Sequence, residues 1–432
     1  MKQSATIHDF AMFSDDRFPM QRFGRFLLFS LILISLLTTG CAMTAPSFGT
    51  PEEPYPPTKE PAVGDIIHLP TGTYVTPEQM LDVATDARIV YVGETHDNPA
   101  SHRLQLQVLT AMAERYPGQV SLGMEMFNTS QQPVLDRWVA GELDEKTFLK
   151  ESAWHTSWRL DFDYYRDLLL YARDHQVPVI GLNATKELVK AVGETPLEEL
   201  PAEVREQLPE MNLEDPYQRA MTAAVFADHT GGNNELERFQ KVQTLWDEMM
   251  ATNVVNELSA KGDEQRMVIL AGGNHIRYGY GIPRRVFLRH PASYTLIGGR
   301  EIVVPEEKQD RLMDIDPPDF PMIPYDYLQF TEYESLPGDK VKLGVRMKEE
   351  EGQVIVEDVV AGSSAEQAGV LAGDILVRMD TAEIKEMFDL IFEIGRKQTG
   401  DEALLVVERD GEQIELQVKF QPLPKMPEGM KK

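Results

Sequence analysis

The chain has 432 residues, with 42 basic and 70 acidic side chains and a formal net charge of −28. This acidic excess argues against non-specific nucleic-acid binding, which depends on clustered Lys and Arg side chains. The length is that of two or three domains. The sequence contains a single cysteine, which excludes an intramolecular disulfide, a CxxC redox pair and a multi-cysteine zinc site.

That cysteine, Cys41, follows a short apolar segment. Residues 26–37 are apolar except for two serines, two arginines precede them and small residues follow. This pattern is typical of an export signal and is too short for a membrane span. The residues leading to Cys41 (Leu-Leu-Thr-Thr-Gly-Cys) resemble the lipobox of bacterial lipoproteins, where cleavage exposes the cysteine for attachment of diacylglyceryl and palmitate.

We therefore expect a lipoprotein signal peptide over residues 1–40 and membrane attachment through lipidated Cys41. The acidic residues before Met20 are unusual for a signal, which favours translation from Met20 over Met1. Ala42 is not the aspartate that retains enterobacterial lipoproteins at the inner membrane. The sequence thus predicts an outer-membrane, lipid-anchored protein that faces the periplasm.

The following elements predict an α/β domain and a second, smaller domain. Residues 41–74 are rich in proline and predict an extended tether. Alternating strands and helices then predict a three-layer α/β/α fold with a mostly parallel sheet. A second proline-rich linker is expected over 301–338, and a small β-rich domain with one helix near 383–398 over 339–420. Strands are predicted at 88–92, 119–124, 177–182, 267–271 and 294–297, and helices at 99–115, 131–150, 162–175, 185–194, 217–229 and 234–260.

Polar side chains follow four of these strands. Glu94 and His96 follow the first strand, Glu125 the second, Asn183 the third, and Asn274 and His275 the fourth. In an open α/β sheet the ligand site lies at the carboxyl ends of the strands. These residues therefore predict a site at one edge of the sheet. His102, inside the first long helix, could face this site or solvent, and we expect solvent.

Five segments carry a resemblance to a known family. They are Gly93-Glu-Thr-His-Asp97, Gly123-Met-Glu-Met-Phe127, Gly181-Leu-Asn183, the stretch 243–251 and the stretch 273–283. Together they resemble the ChaN-like haem-binding lipoproteins, which belong with the Tiki, TraB and erythromycin-esterase proteins. The resemblance covers residues 75–300. It implies haem binding connected with iron acquisition, a homodimer that encloses the porphyrins, and a tyrosine ligand to iron.

The resemblance also suggests residues for the haem site. Ferric iron is a hard acid that suits a phenolate oxygen. The candidate iron ligands are Tyr278, which we favour, and Tyr280. Tyr164 and Tyr165 are the second pair of candidates. His275 and Lys186 are expected to pair with propionates. His96, Glu94 and Asn274 complete the expected haem contacts.

Two other functions stay open at this point. Glu94, His96, Glu125 and His275 could gather one divalent metal ion in a metal-dependent hydrolase. Glu94 or Glu125 could then act as general base. A third possibility is an envelope scaffold whose function lies in the second domain. We expect a non-catalytic haem-binding protein ahead of both.

Residues 339–420 resemble a bacterial PDZ domain. The resemblance rests on Lys342-Leu-Gly-Val345 and on the stretch 359–376, with its Ala-Gly, Ala-Glu-Gln-Ala-Gly and Ala-Gly-Asp motifs. The resemblance implies that a peptide or protein C-terminus adds as a strand at Leu343, Gly344 and Val345. A structural PDZ domain that contacts the first domain and binds no free peptide stays open as the alternative. Phe388, Ile391 and Phe392 are the candidates for the side-chain pocket, and only some of the three can face it.

Overall fold

The computed structural model describes residues 59–227, 233–311, 317–338 and 341–422, together with Gly49, Tyr55 and Ile315. The predicted signal peptide, Cys41 and most of the tether lie outside these residues. The chain divides into residues 1–48 and 49–432, and the described residues all belong to the second unit. Within the described part of the chain, no helix has both the length and the apolarity that a membrane crossing needs.

The larger sheet has eight strands in the order β2-β1-β8-β7-β3-β6-β4-β5. Six neighbouring strands, β8 to β5 in this order, run parallel, while β1 pairs antiparallel with β2 and β8. The strands are β1 Ile66–His68, β2 Thr73–Val75, β3 Ile89–Glu94, β4 Val120–Asn128, β5 Val179–Asn183, β6 Arg266–Gly272, β7 Tyr294–Val303 and β8 Tyr327–Glu332.

Helices cover both faces of this sheet, which confirms the predicted α/β fold. Apolar side chains form one buried cluster on each face, the first including Val90, Val108 and Trp154, the second including Tyr91 and Val254. The helices are α1 Pro77–Ala84, α2 Pro99–Arg115, α3 Gln132–Val139, α4 Glu145–Glu151, α5 Trp154–Ser157, α6 Arg166–Asp174, α7 Lys186–Glu194, α8 Ala202–Arg205, α9 Pro216–Ala227, α10 Asn233–Lys261, α11 Gly273–Ile276 and α12 Ile282–Arg289. Short 3₁₀ turns lie at Thr129–Gln131, Phe162–Tyr164, Leu197–Glu199, Arg277–Gly279 and Glu306–Arg311.

Three expectations from the sequence need correction. The tether is not extended to residue 74, because β1 and β2 lie in the sheet. The linker 301–338 contains β8, which pairs with β7 and β1, since its six residues include no proline. The single helix expected at 131–150 is two helices, because Gly141 has a left-handed φ of 74° and Asp144 caps a new start.

The carboxyl-terminal domain is an antiparallel sheet with two helices. Its strand order is β14-β13-β11-β10-β9, with β12 paired to β11, so β9 is an edge strand within the described residues. One buried cluster, including Val354, Leu405 and Phe420, forms its core. The elements are β9 Val345–Glu350, β10 Gln353–Val359, α13 Ser364–Ala368, β11 Ile375–Met379, β12 Ala382–Glu383, α14 Met387–Gly395, β13 Glu402–Arg409 and β14 Glu412–Lys419.

Candidate functional site

A cavity of about 700 Å³ opens at the carboxyl ends of the parallel strands. In the sheet, β3 lies between β6 and β7, and the strand that follows it in the chain, β4, lies on the far side of β6. The strand order therefore reverses direction at β3. Such a switch point is where open α/β sheets bind ligands. The predicted residues that line this cavity are Glu94, His96, Glu125, Asn183, Asn274 and His275, together with Tyr280.

His96 and Glu94 form a hydrogen-bonded ion pair on the cavity wall. The Nδ1 of His96 lies 2.6 Å from Oε1 of Glu94, and the imidazole is 39% exposed. Burial opposes the charged imidazole, but the bond to Glu94 and the nearby carboxylates outweigh it and raise the pKa of His96 to about 9. The ring reaches close to Gly272, where an added Cβ would lie 3.0 Å from it. His96 therefore presents a cation to the cavity at neutral pH.

The Glu94 carboxylate is held by residues behind the cavity wall. Tyr165 Oη donates to its Oε1 at 2.6 Å, and Gln105 Nε2 donates to its Oε2 at 2.5 Å. Burial opposes ionisation, yet His102, His96 and the Tyr165 bond together lower the pKa of Glu94 to about 2. Tyr165 is fully buried in this network, and proximity to the carboxylate adds to burial in raising its pKa.

His102, for which solvent was favoured over the site, and Gln105, which was not predicted, both belong to this network. His102 is buried, contrary to the expectation that it faces solvent, and its Nε2 bonds the carbonyl of His96 at 3.0 Å. Its Nδ1 lies 3.1 Å from Gln105 Oε1. The available signal was the spacing of His102 and Gln105, three residues apart on α2. Nothing in the sequence showed that this polar face turns towards the sheet.

A second histidine–carboxylate pair lies across the cavity. His275 Nδ1 bonds Asp247 Oδ1 at 2.6 Å, and its Nε2 lies 3.6 Å from Glu125 Oε1. Gln218 Nε2 donates to the other oxygen of Asp247 at 2.6 Å, which fixes the carboxylate. Burial opposes protonation, but Glu125 and Asp247 raise the pKa of His275. Asp247 lies in the stretch 243–251 that resembles the family, but it was not predicted as a site residue.

The structure distinguishes the two tyrosines that were proposed as iron ligands, because only one of them lines the cavity. Tyr280 lines the cavity, and its buried hydroxyl has no hydrogen-bond partner in the described part of the chain. Burial raises its pKa. Tyr278 is buried beside it, with rings nearly parallel at 6.1 Å, but is not part of the cavity wall. A buried hydroxyl without a partner costs about 1–3 kcal/mol, and of these two phenols Tyr280 is the one on the cavity wall, where a ligand could satisfy it. Of the reserve pair, half-buried Tyr164 has its pKa raised to about 12 by burial and Asp97.

A second cavity of about 610 Å³ adjoins the first and shares several of its wall residues. Its lining is mostly apolar, and Lys186, Lys190 and Arg238 supply positive charge. Lys186, predicted as a propionate partner, donates from Nζ to the carbonyl of Thr156. The residues common to both cavities are Glu125, Trp158, Asn183, Phe239 and Trp246.

The residues of the alternative metal set lie at this edge but are engaged with protein partners. Glu94 accepts bonds from His96, Tyr165 and Gln105, and Glu125 Oε2 accepts from the backbone N–H of Gly272 at 2.7 Å. Among the described residues, no group of three or more His, Cys, Asp or Glu side chains is arranged to hold a metal ion.

The predicted peptide site lies at the start of edge strand β9. Leu343 is buried, Gly344 has a φ of 86° and Val345 is partly buried against the core. Ile391 on α14 is 44% exposed. Phe388 and Phe392 instead pack against the core cluster of the first domain, because they lie four residues apart on another face of α14. Their assignment to the peptide pocket is therefore wrong.

Comparison with known proteins agrees with this architecture. Residues 80–286 match the family model described as "Haem-binding uptake, Tiki superfamily, ChaN", and residues 341–420 match the PDZ domain model. No curated protein matches the chain significantly.

Three of the solved structures with similarity to the chain are related to one or the other of its two domains. One is ChaN of Campylobacter jejuni with cofacially bound heme, which is 15% identical, with a TM-score of 0.49 over 63% of this chain and 98% of that one. The serine endoprotease from Yersinia pestis is 22% identical over 20% of this chain and 30% of its own, with a TM-score of 0.18. The HtrA3 PDZ domain bound to a phage-derived ligand is 20% identical over 19% of this chain and 86% of its own, with a TM-score of 0.17.

The family matches fall on the two domains that the structure separates by sheet and by core. Residues 80–286 contain β3 to β6 and every cavity residue from Glu94 to Tyr280. Residues 341–420 contain the whole antiparallel domain. The chain thus carries a ChaN-type domain of the Tiki superfamily followed by a PDZ domain.

Proposed function

We propose that this protein binds haem in the two adjoining cavities at the carboxyl edge of the large sheet. The observation that carries the proposal is the buried, unpartnered hydroxyl of Tyr280 on the wall of a cavity that also presents a cationic histidine. Tyr280 would supply the phenolate for ferric iron, a hard acid that prefers oxygen donors. Bound haem would supply the iron centre itself, as the cargo or sensor ligand.

The remaining cavity residues suit the other parts of the ligand. The macrocycle is apolar, and Trp158, Trp246 and Phe239 give both cavities aromatic walls. Propionates are anions, and the raised pKa of His96 on one side and the side-chain ammonium of Lys186 on the other suit them. Each residue therefore supports the proposal through the chemistry of one part of haem.

A hemin titration of the purified full chain tests this function. We expect wild-type protein to give a saturable absorption band of tyrosinate-ligated ferric haem, and Tyr280→Phe to lose it. Tyr278→Phe is the matched control, because it removes a neighbouring buried hydroxyl that is not on the cavity wall. If wild-type protein neither binds hemin nor gives this band, the haem proposal fails and the PDZ-based scaffold becomes the better reading.

We further propose an envelope location and a role in iron acquisition. The support is the lipobox-like sequence before Cys41 and the description of the family as haem-binding uptake proteins. Metabolic labelling with a palmitate analogue, followed by separation of inner and outer membranes, tests the anchor. Label should appear in the outer-membrane fraction of the wild type and disappear in Cys41→Ala.

The PDZ domain is proposed to bind a peptide or protein C-terminus at edge strand β9. An exposed edge offers unpaired backbone groups to an added strand, and Ile391 offers apolar surface beside it. Peptide-array binding by the wild type should be lost in Gly344→Asp. The family resemblance also implies a homodimer, and sedimentation with and without hemin would detect one.

A further inference from the structure

The first turn of α14 in the PDZ domain forms ion pairs with the ChaN-type domain. Lys146 Nζ lies 2.7 Å from Asp389 Oδ1, and Lys150 forms an ion pair with Glu386. The two lysines are four residues apart on α4 and so share one face. Glu386 and Asp389 also form the capping box of α14. The same two carboxylates therefore start the PDZ helix and attach it to the other domain.

Apolar contacts complete this docking interface. Phe388 and Phe392 pack against the core cluster of the ChaN-type domain. The ring of Phe388 lies 5.8 Å from that of His155 on α5, and the ammonium of Lys146 lies 5.7 Å from the centre of the Phe392 ring. The docking interface thus holds helices α4 and α5 directly against α14.

The far end of α5 reaches the haem site. Trp158, three residues after His155, lines both cavities. Its ring meets the ring of His96 edge-on, with centroids 5.0 Å apart, and its Nε1 donates to Tyr165 Oη at 3.3 Å. The PDZ contact at His155 and the cavity-wall residue Trp158 therefore lie only three residues apart, on and directly after the short helix Trp154–Ser157.

The backbone on both sides of α5 is strained. Ala153 has a φ of 51° and Arg159 a φ of 71°, and neither is glycine. Left-handed backbone is unfavourable for residues with a Cβ, and it persists where surrounding contacts hold it. The docking interface supplies one such contact through His155, in addition to the burial of Trp154 in the core of the ChaN-type domain. Segment 153–159 is therefore held in a conformation that its own sequence does not favour.

We propose that docking of the PDZ domain controls haem binding, because it holds segment 153–159 and with it the Trp158–His96 wall. The inference rests on the proposed function of the cavity. Release of α14 would let the segment relax, and Trp158 would no longer be held against His96. A preorganised wall costs less to order when the ligand binds, so the docked state is the one with the higher haem affinity.

Charge-reversal variants of the full chain test the proposal. Lys150→Glu and Glu386→Lys each place like charges in the docking interface, and the double variant restores an opposite pair. We expect each single variant to weaken hemin binding at least fivefold, about the smallest coupling usual for allosteric proteins, and the double variant to recover it. Lys385→Glu is the matched control, since that exposed lysine pairs with Glu383 inside the PDZ domain.

Two readouts separate failure of this inference from failure of the haem function. Unchanged or tighter hemin binding in both single variants would overturn the inference while leaving haem binding intact. Hydrogen–deuterium exchange of ligand-free protein gives the second readout. Amides of residues 153–159 should exchange faster in each single variant and return to the wild-type rate in the double variant. Exchange unaffected by charge reversal would overturn the inference even if wild-type protein bound no hemin.

Discussion

The His96–Glu94 pair predicts a specific dependence of folding stability on pH. The pKa of His96 is raised from 6.5 to about 9, so its contribution is complete below pH 6.5 and is lost as pH rises through 9. The pKa of Glu94 is lowered from 4.5 to about 2, so its contribution is complete above pH 4.5 and is lost as pH falls through 2. The pair therefore stabilises the fold most between these limits, in mildly acidic solution.

The size of this stabilisation follows from the pKa shift of His96 and from the exposure of its imidazole. One pKa unit corresponds to about 1.4 kcal/mol. Because His96 is 39% exposed, solvent screening reduces its full shift, and we expect about 1–2 kcal/mol from the pair. His96→Gln removes the ionisable ring and keeps a polar side chain, so it isolates this contribution.

Urea unfolding of wild type and His96→Gln at about pH 6 and about pH 9.5 measures the effect, since these values lie on either side of the shifted titration. The wild type should be more stable than the variant by about 1–2 kcal/mol at the lower pH, and this difference should nearly vanish at the higher pH. His290→Gln is the control, because His290 ends α12 outside the cavity lining. A difference between wild type and His96→Gln that is the same at both pH values would refute the reasoning.

Two further predictions concern packing and the PDZ core. A Cβ at Gly281 would overlap the backbone carbonyl of His275, so Gly281→Ala should lower the free energy of unfolding by about 1–3 kcal/mol. Gly299→Ala, where an added Cβ meets nothing within 4 Å, should stay within about 0.5 kcal/mol of wild type in the same thermal unfolding experiment. Asp374 is buried and accepts two bonds from Arg409, at 2.7 and 2.8 Å, so Asp374→Asn should cost about 1.5–3 kcal/mol. Hydrogen exchange should then speed up across β10, β11 and β13, and unchanged exchange there would contradict this role.

The parallel strands and the residues at their ends were predictable because each strand is a short apolar run followed directly by polar residues. β3 ends at Glu94 and β6 at Gly272, as the pattern indicates. The strands β1 and β8 were not predictable in the same way. β1 has only three residues. β8 consists of six residues without proline, but the segment around it is rich in proline, so an average over the whole segment does not indicate a strand. Short strands in proline-rich sequence have too few residues to show a period.

The cavity network was predicted only in part, because a sequence does not show which polar helix face turns inward. His102 and Gln105 on α2 face the carboxylate of Glu94, where a charge repays the burial of polar groups. The sequence left open that the PDZ domain contacts the first domain, but the docking face of α14 was hidden for a related reason. Phe388 and Phe392 form an apolar face that the PDZ resemblance assigns to its own pocket, and only the structure shows that another domain covers that face.

Resonance Raman spectroscopy of the hemin-loaded full chain tests the central claim most directly, because it detects the bond between iron and a phenolate oxygen. The account predicts iron–phenolate vibrations in the wild type and in Tyr278→Phe, and their loss in Tyr280→Phe. Iron–phenolate vibrations that persist in Tyr280→Phe, or a hemin-loaded wild type without them, would contradict the assignment of Tyr280 as the iron ligand.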